Sequence, residues 1–324
     1  MEVLKNRWLI GVIALALGFF LGLLPSSPSL PLSFDEKPQW ELDHPYRFIN
    51  PLLACGEGEF NHLGNDETKK LEETLSSLTD RLKSEGKITE AGIYFRQLKG
   101  GPWVGVNYEA KFGPGSLLKV PLAMSIFEAA ETKPELLGEQ IYFEGGDSGA
   151  DEYYVSDMIQ VGSTYTVLEL IRAALVHSDN NAALLLAQVV GNEHVLESYS
   201  RLGIETPTFG KDYLTTVHNY ASFFRILYNG TYLSHEYSEQ LLSILAESTF
   251  TKGIVAGVPK GIPVAHKFGE RALTGDSSVQ LHDCGIIYQP GNPYLLCVMM
   301  RGTDFDTIAS AIAEVSRSVS TQIK

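Results

Sequence analysis

Residues 113–122 read Gly-Pro-Gly-Ser-Leu-Leu-Lys-Val-Pro-Leu. Glycine and proline end the preceding segment, so Ser116 falls where a helix begins and its backbone N–H is unpaired. Lys119 follows one helical turn later, on the same face. A neutral amine there can take the hydroxyl proton of Ser116, which is too weak a nucleophile alone. Taken singly, a serine at a helix start followed by a lysine is common and does not establish catalysis.

A second polar motif, Ser178-Asp179-Asn180, interrupts two apolar helical runs at 167–176 and 181–190. Its structural interpretation is a turn that caps the helix beginning near residue 181. Its functional interpretation gives Ser178 a proton relay to the leaving group and Asn180 a hydrogen bond to the substrate amide. The two interpretations are compatible.

The third motif is a His-Lys-Phe-Gly sequence that ends a strand-like run and contains Lys267 and Gly269. The cation of Lys267 can hold a substrate carboxylate and help Ser178 to move its proton. The backbone N–H of Glu270 can be a second oxyanion donor beside that of Ser116. We therefore expect Gly269 and Glu270 in the substrate-binding site.

In the order Ser-x-x-Lys, Ser-Asp-Asn and Lys-x-Gly, the motifs resemble those of the class A β-lactamase and penicillin-binding serine hydrolase superfamily. The likeness runs from about Leu71 to the C-terminus and includes residues 165–170 and 283–288. The resemblance implies an α+β fold, with a mixed sheet flanked by helices and an all-helical subdomain. Strand-like runs near both ends of the chain and helical runs between them agree with that arrangement.

The resemblance also implies acyl transfer with no metal or other cofactor. Lys119 activates Ser116, which attacks a β-lactam or a D-Ala-like amide, and hydrolysis of the acyl-enzyme follows. Ser178, backed by Lys267, protonates the departing nitrogen. Two alternatives stay open: a penicillin-binding D,D-peptidase acting on cell-wall peptides, and a sensor or wall-binding module without turnover.

The glutamate that serves deacylation in class A β-lactamases has no clear counterpart. In that family it lies in an Ω-loop between the Ser-Asp-Asn motif and a Thr-Thr segment. Residues 215–216 resemble the Thr-Thr segment, but the stretch 181–214 is too short for the usual loop. We expect none of its acids to replace the glutamate, although Glu205 is the best placed. These acids are Glu193, Glu197, Glu205 and Asp212.

Two further positions depart from the family pattern. Phe268 replaces the usual hydroxyl residue of the third motif, which removes one hydrogen bond to a substrate carboxylate. Cys284 stands where many class A enzymes carry an arginine. A hairpin around residues 289–293 would bring Cys284 near Cys297, so a disulfide is possible, but two buried free thiols are favoured. Asp283 next to His282 suggests a structural hydrogen-bonded pair.

Net charge and hydropathy indicate the partners, the location and the domain boundaries of the chain. A formal net charge of −14, from 39 acidic and 25 basic residues, argues against nucleic acid as a partner. Residues 1–25 contain Lys5 and Arg7 before an apolar run, which predicts a membrane anchor or signal segment and an exported remainder. A Pro/Ser-rich tether at 26–45 then precedes the catalytic domain at 46–324, which we expect to be monomeric.

Overall fold

A computed structural model describes residues 46–50, 64–146, 153–154, 158–207, 213–272 and 277–323. These residues belong to one unit of the chain, Tyr46–Lys324. The segments at 1–25 and 26–45 lie outside the described residues, so the anchor and the tether stay predictions. Among the helices that are described, none is long and apolar enough to cross a bilayer.

A five-stranded sheet with the strand order β2-β1-β7-β6-β5 forms the centre of this unit. The strands are β1 (Glu90–Gln97), β2 (Trp103–Val106), β5 (Val264–Ala272), β6 (Val279–Ile287) and β7 (Tyr294–Gly302). The first strand thus pairs with the last, so the strand-like runs near both ends of the chain lie in one sheet. The α+β class is confirmed. All pairings among the described strands of this sheet are antiparallel, so the mixed directions that the resemblance implied are not present there.

Helices cover both faces of the sheet, and further helices pack mainly on one another. One sheet face carries α1 (Asn65–Ser84) and α9 (Phe305–Gln322), and the opposite face carries α6 (Val217–Asn229). The remaining elements are α2 (Lys119–Thr132), α3 (Val167–Val176), α4 (Asn180–Val190), α5 (Asn192–Arg201), α7 (His235–Leu245), α8 (Ile254–Gly257) and a ribbon of β3 (Gln140–Tyr142) with β4 (Thr164–Thr166). Most of these helices pack on one another, which gives the predicted helical subdomain.

Two apolar clusters form the core, one on each face of the sheet. Along β7, Leu295 and Met299 belong to the first cluster, whereas Leu296 belongs to the second. This alternation follows from the pleat of a strand, which directs successive side chains to opposite faces. Both faces are apolar because helices cover both, so β7 is buried along nearly its whole length.

The two cysteines of the hairpin are joined. Cys284 on β6 pairs directly with Cys297 on β7, and a disulfide links them at a Cα–Cα distance of 4.0 Å. The expectation of two free thiols is therefore wrong. The reason is the strand register, which places the two residues opposite each other on the same face of the sheet.

Candidate active site

Ser116 lies in a 3-10 turn, Gly115–Leu118, that leads directly into α2. Lys119 is the first residue of α2 and is therefore one turn from Ser116, as the spacing predicted. The Ser116 side chain is partly exposed, whereas Lys119 is only 6% exposed. A ligand can thus reach the hydroxyl while the amine stays largely withdrawn from water.

The backbone of strand β5 packs directly against the backbone of this turn. This contact is possible because glycine occupies two of the positions involved. Gly115 has a φ of +54°, and a Cβ there would lie 2.4 Å from the carbonyl oxygen of Glu270. A Cβ on Gly269 would lie 2.5 Å from the carbonyl oxygen of Pro114. No side chain fits in either place. As a result, Glu270 lies beside the residue that precedes Ser116.

The second motif forms a tight turn between α3 and α4. Ser178 has a φ of +61°, a left-handed conformation that costs a non-glycine residue energy. The Asp179 carboxylate fixes the turn by accepting hydrogen bonds from the backbone N–H groups of Ile159 (2.6 Å), Asn181 (2.8 Å) and Ala182 (3.0 Å). The capping role therefore falls to Asp179. Asn180, the first residue of α4, is partly exposed.

Two lysines from different segments converge on the Ser178 hydroxyl. Lys119 Nζ donates to Ser178 Oγ at 3.2 Å and also to the Ser178 carbonyl oxygen. Lys267 Nζ donates to Ser178 Oγ at 2.9 Å and to the Phe268 carbonyl oxygen at 2.8 Å. A hydroxyl accepts two hydrogen bonds and donates one. With both lone pairs engaged by lysines, the Ser178 hydrogen is left to be donated.

Asp283 stabilises the strand that carries the third motif through two hydrogen bonds. It accepts a hydrogen bond from His266 Nδ1 at 2.8 Å and another from the Ile254 N–H at 2.8 Å. Its predicted partner, His282, is not its partner. Consecutive residues of a strand point to opposite faces, so these neighbours cannot face each other. His266 is a buried, packed neighbour of Lys267.

His282 instead holds the segment that enters the Ser116 turn. Its Nε2–H donates to the Gly113 carbonyl oxygen at 2.9 Å, and the Gly113 N–H donates to Gln280 Oε1 at 3.0 Å. Complete burial lowers the pKa of His282 to about 4, so the ring is neutral near pH 7. Both polar backbone groups of Gly113 are therefore tied to β6.

The described acids of the 181–214 stretch are directed to solvent or to basic neighbours. Glu205 Oε2 lies 3.7 Å from Lys111 Nζ, and Glu197 Oε2 lies 3.6 Å from Arg201 Nη1. Glu193 is exposed on the first turn of α5. Asp212 lies outside the described residues. The expectation that Glu205 does not act as the deacylating base agrees with this placement.

Sequence reasoning missed an aromatic segment that lies across β5. The backbone N–H groups of Tyr153 and Tyr154 donate to the Glu270 carboxylate at 2.7 and 3.2 Å. The hydroxyls of both tyrosines donate to the Asp306 carboxylate at 3.0 Å. Lys252 pairs with the same carboxylate at 2.6 Å and, with the tyrosines, lowers its pKa. No local motif marks these contacts, because they join segments that are far apart in the sequence.

The fold, and the contacts of Lys119 and Lys267 with Ser178, agree with a protein of the β-lactamase and penicillin-binding type. A family model described as "Beta-lactamase enzyme family" matches residues 70–323, so the chain belongs to this family. The family prediction is confirmed, although the roles of the individual site residues remain predictions.

Several solved structures share the fold at low sequence identity. PBP-A is 23% identical, with a TM-score of 0.66 over 78% of this chain and 95% of that one. A PBP-A mutant in an acyl-enzyme complex with penicillin-G is 22% identical, with a TM-score of 0.67 over 78% and 96%. The TLA-3 extended-spectrum β-lactamase is 21% identical, with a TM-score of 0.69 over 78% and 98%. At these identities the likeness shows the fold alone.

Proposed function

We propose that this chain is a serine hydrolase that is acylated at Ser116 by a β-lactam or a D-Ala-like amide and is then hydrolysed. The observation that carries the proposal is the convergence of Lys119 and Lys267 on Ser178 Oγ, at 3.2 and 2.9 Å. These contacts would let Ser178 receive a proton from Lys119 and pass its own proton to a leaving group.

In acylation, Lys119 accepts the proton of Ser116 Oγ as that oxygen bonds to the carbonyl carbon. The backbone N–H groups of Ser116 and Glu270 stabilise the negative charge on the carbonyl oxygen. The C–N bond then breaks, and the nitrogen takes the proton of Ser178 Oγ. Lys119 returns its proton to Ser178, while the cation of Lys267 stabilises the transfer. Asn180 hydrogen-bonds to the substrate amide.

In deacylation, water adds to the acyl carbon, the bond to Ser116 Oγ breaks, and Ser116 regains its proton. The water must lose a proton in this step, which a positioned base accelerates. The described acids at 181–207 are directed elsewhere, so we propose that release is slow compared with acylation. That property favours a second candidate, a penicillin-binding D,D-peptidase that acts on cell-wall peptides.

Mass spectrometry of the full-length protein tests the proposal. Incubation with penicillin G should add one penicilloyl group, which peptide mapping should place on Ser116. The Ser116→Ala variant should carry no adduct. An unmodified wild-type protein, or an adduct at another residue, would contradict the proposal.

We propose further that the domain lies outside the cytoplasm and is anchored by the N-terminal segment. Lys5 and Arg7 before the apolar run support this orientation. The Cys284–Cys297 disulfide is typical of an oxidising compartment. Protease added to cells with permeable outer layers should cleave the domain, and full protection would oppose this location.

A further inference from the structure

A pocket of about 270 Å³ lies next to the leaving-group side of the proposed site. Its lining includes His177, which immediately precedes Ser178, and Phe268, which immediately follows Lys267. Lys267 Nζ lies 4.0 Å from the centroid of the Phe268 ring while it donates to Ser178 Oγ. The pocket therefore adjoins the group that would protonate the departing atom.

Aromatic rings form the wall of this pocket. Phe250 and Phe268 stack with ring centroids 4.2 Å apart, and Tyr154 packs edge-on against Phe250 at 5.0 Å. Phe250 and Phe268 are both buried within the second apolar cluster, which holds them in place. Phe268 already stacks on Phe250 and has the Lys267 ammonium over its ring, so the wall offers mainly ring edges, against which another ring can pack in an edge-to-face contact.

Both lysines beside the pocket already have hydrogen-bond or ion-pair partners. Lys267 is fully buried and directs its donors to Ser178 and to the Phe268 carbonyl oxygen. Lys252, at the mouth, lies 4.7 Å from the Tyr154 ring centroid and pairs with Asp306 at 2.6 Å. A second charged group, beyond the carboxylate that Lys267 can hold, would lose hydration in the pocket, whereas an uncharged ring would lose little.

We propose that this pocket binds an uncharged aromatic ring carried by the leaving group of the substrate. The site then prefers a leaving group with a benzyl side chain over one with the methyl side chain of a D-alanine-like group. This inference rests on the proposed acylation of Ser116 and defines its substrate more narrowly. The volume of the pocket is sufficient for one benzyl group and too small for a large ligand.

Two ester substrates with the same acyl group test the inference on the full-length protein. One has D-lactate and the other D-phenyllactate as the leaving group, so both carry the same carboxylate and differ by one phenyl ring. Rates of Ser116 acylation are read by mass spectrometry and corrected for the alkaline hydrolysis rate of each ester. We expect kcat/KM for acylation to be roughly 20-fold higher for the phenyllactate ester, the scale of burying one ring.

A pair of variants assigns the preference to this pocket. Phe250→Leu removes part of the aromatic wall and should reduce the preference to about threefold or less. Phe48→Leu is the matched control, because Phe48 is similarly buried but packs on Tyr288, and it should keep the full preference. An equal rate for both esters in the wild type, or a preference for lactate, would overturn the inference while leaving Ser116 acylation intact. Absence of any acylation at Ser116 would instead reject the proposed function, and the inference with it.

Discussion

The Ser178 turn and the loop at 202–216 differ in how they are held and in what they direct at the reaction. Ser178 is 5% exposed, and its hydroxyl receives hydrogen bonds from Lys119 and Lys267. In the described part of the loop, the Glu205 side chain is 55% exposed and lies near Lys111 on the surface. The groups proposed to form the acyl-enzyme are thus held in buried structure, whereas Glu205, the acid that the sequence places best for its release, lies in solvent.

The largest effect is expected from removing the amine next to the nucleophile. Lys119→Ala should slow acylation of Ser116 by about 10³- to 10⁴-fold, the upper range for loss of a general base. Lys111→Ala, which removes the partner of Glu205 in the loop, is the matched control and should change acylation less than about twofold. Stopped-flow labelling with fluorescent penicillin measures both, and thermal unfolding checks the fold. Unchanged labelling of Lys119→Ala would remove this lysine from the base role.

Two substitutions of Ser178 separate its hydroxyl from its backbone. Ser178→Ala and Ser178→Gly should both lower the acylation rate by about 10²- to 10³-fold, because both lose the relay. Their stabilities should differ, since only glycine adopts a φ of +61° without strain. Urea unfolding should show the glycine variant to be more stable than the alanine variant by about 1 kcal/mol. Equal stabilities would show that the turn is not strained.

The hydrogen bond from buried His282 to the Gly113 carbonyl oxygen should make the free energy of unfolding depend on pH. The pKa of His282 is about 4 in the folded protein against an ordinary value of 6.5, so the unfolded chain binds a proton that the folded protein excludes. The contribution of neutral His282 to the free energy of unfolding is therefore complete above pH 6.5. It is lost as the pH falls towards 4, by roughly 3 kcal/mol in total. Urea unfolding at pH 7.5 and 4.5 measures the loss. His282→Asn cannot titrate, and an equally large loss in that variant would exclude His282 as the source.

The smallest effect is expected in the loop. Glu205→Gln should change the deacylation rate less than about twofold, since an exposed carboxylate paired with a surface lysine contributes little. Decay of the penicilloyl adduct, followed by mass spectrometry, measures this rate. A tenfold slower decay would make Glu205 the deacylating base and would remove the contrast between the two regions.

Short-range patterns predicted the catalytic candidates, because Ser116 and Lys119 are one helical turn apart and a helix fixes their relation. The α+β class followed similarly from runs of helical and strand-like residues. The disulfide could not be settled in this way, because it depends on the register between β6 and β7. The separation of His282 from Asp283 was available from strand alternation alone and was overlooked.

The aromatic pocket was beyond the reach of sequence patterns. Tyr154, Phe250 and Phe268 come from three distant segments, and nothing in their local sequences marks them as neighbours. Only the packing of β5 against the residues that precede α8 brings Phe250 onto Phe268. Phe268 in the third motif indicated one lost hydrogen bond to a substrate carboxylate, but it did not indicate an aromatic pocket.

We propose that the chain forms an acyl-enzyme readily and releases it slowly. A time course with fluorescent penicillin on the full-length protein, beside Ser116→Ala, tests this most directly. We predict a rapid burst that approaches one label per wild-type chain, followed by decay at least about 10²-fold slower than labelling, and no label on the variant. Steady hydrolysis of penicillin without accumulation of label would contradict the claim, because release would then be faster than acylation.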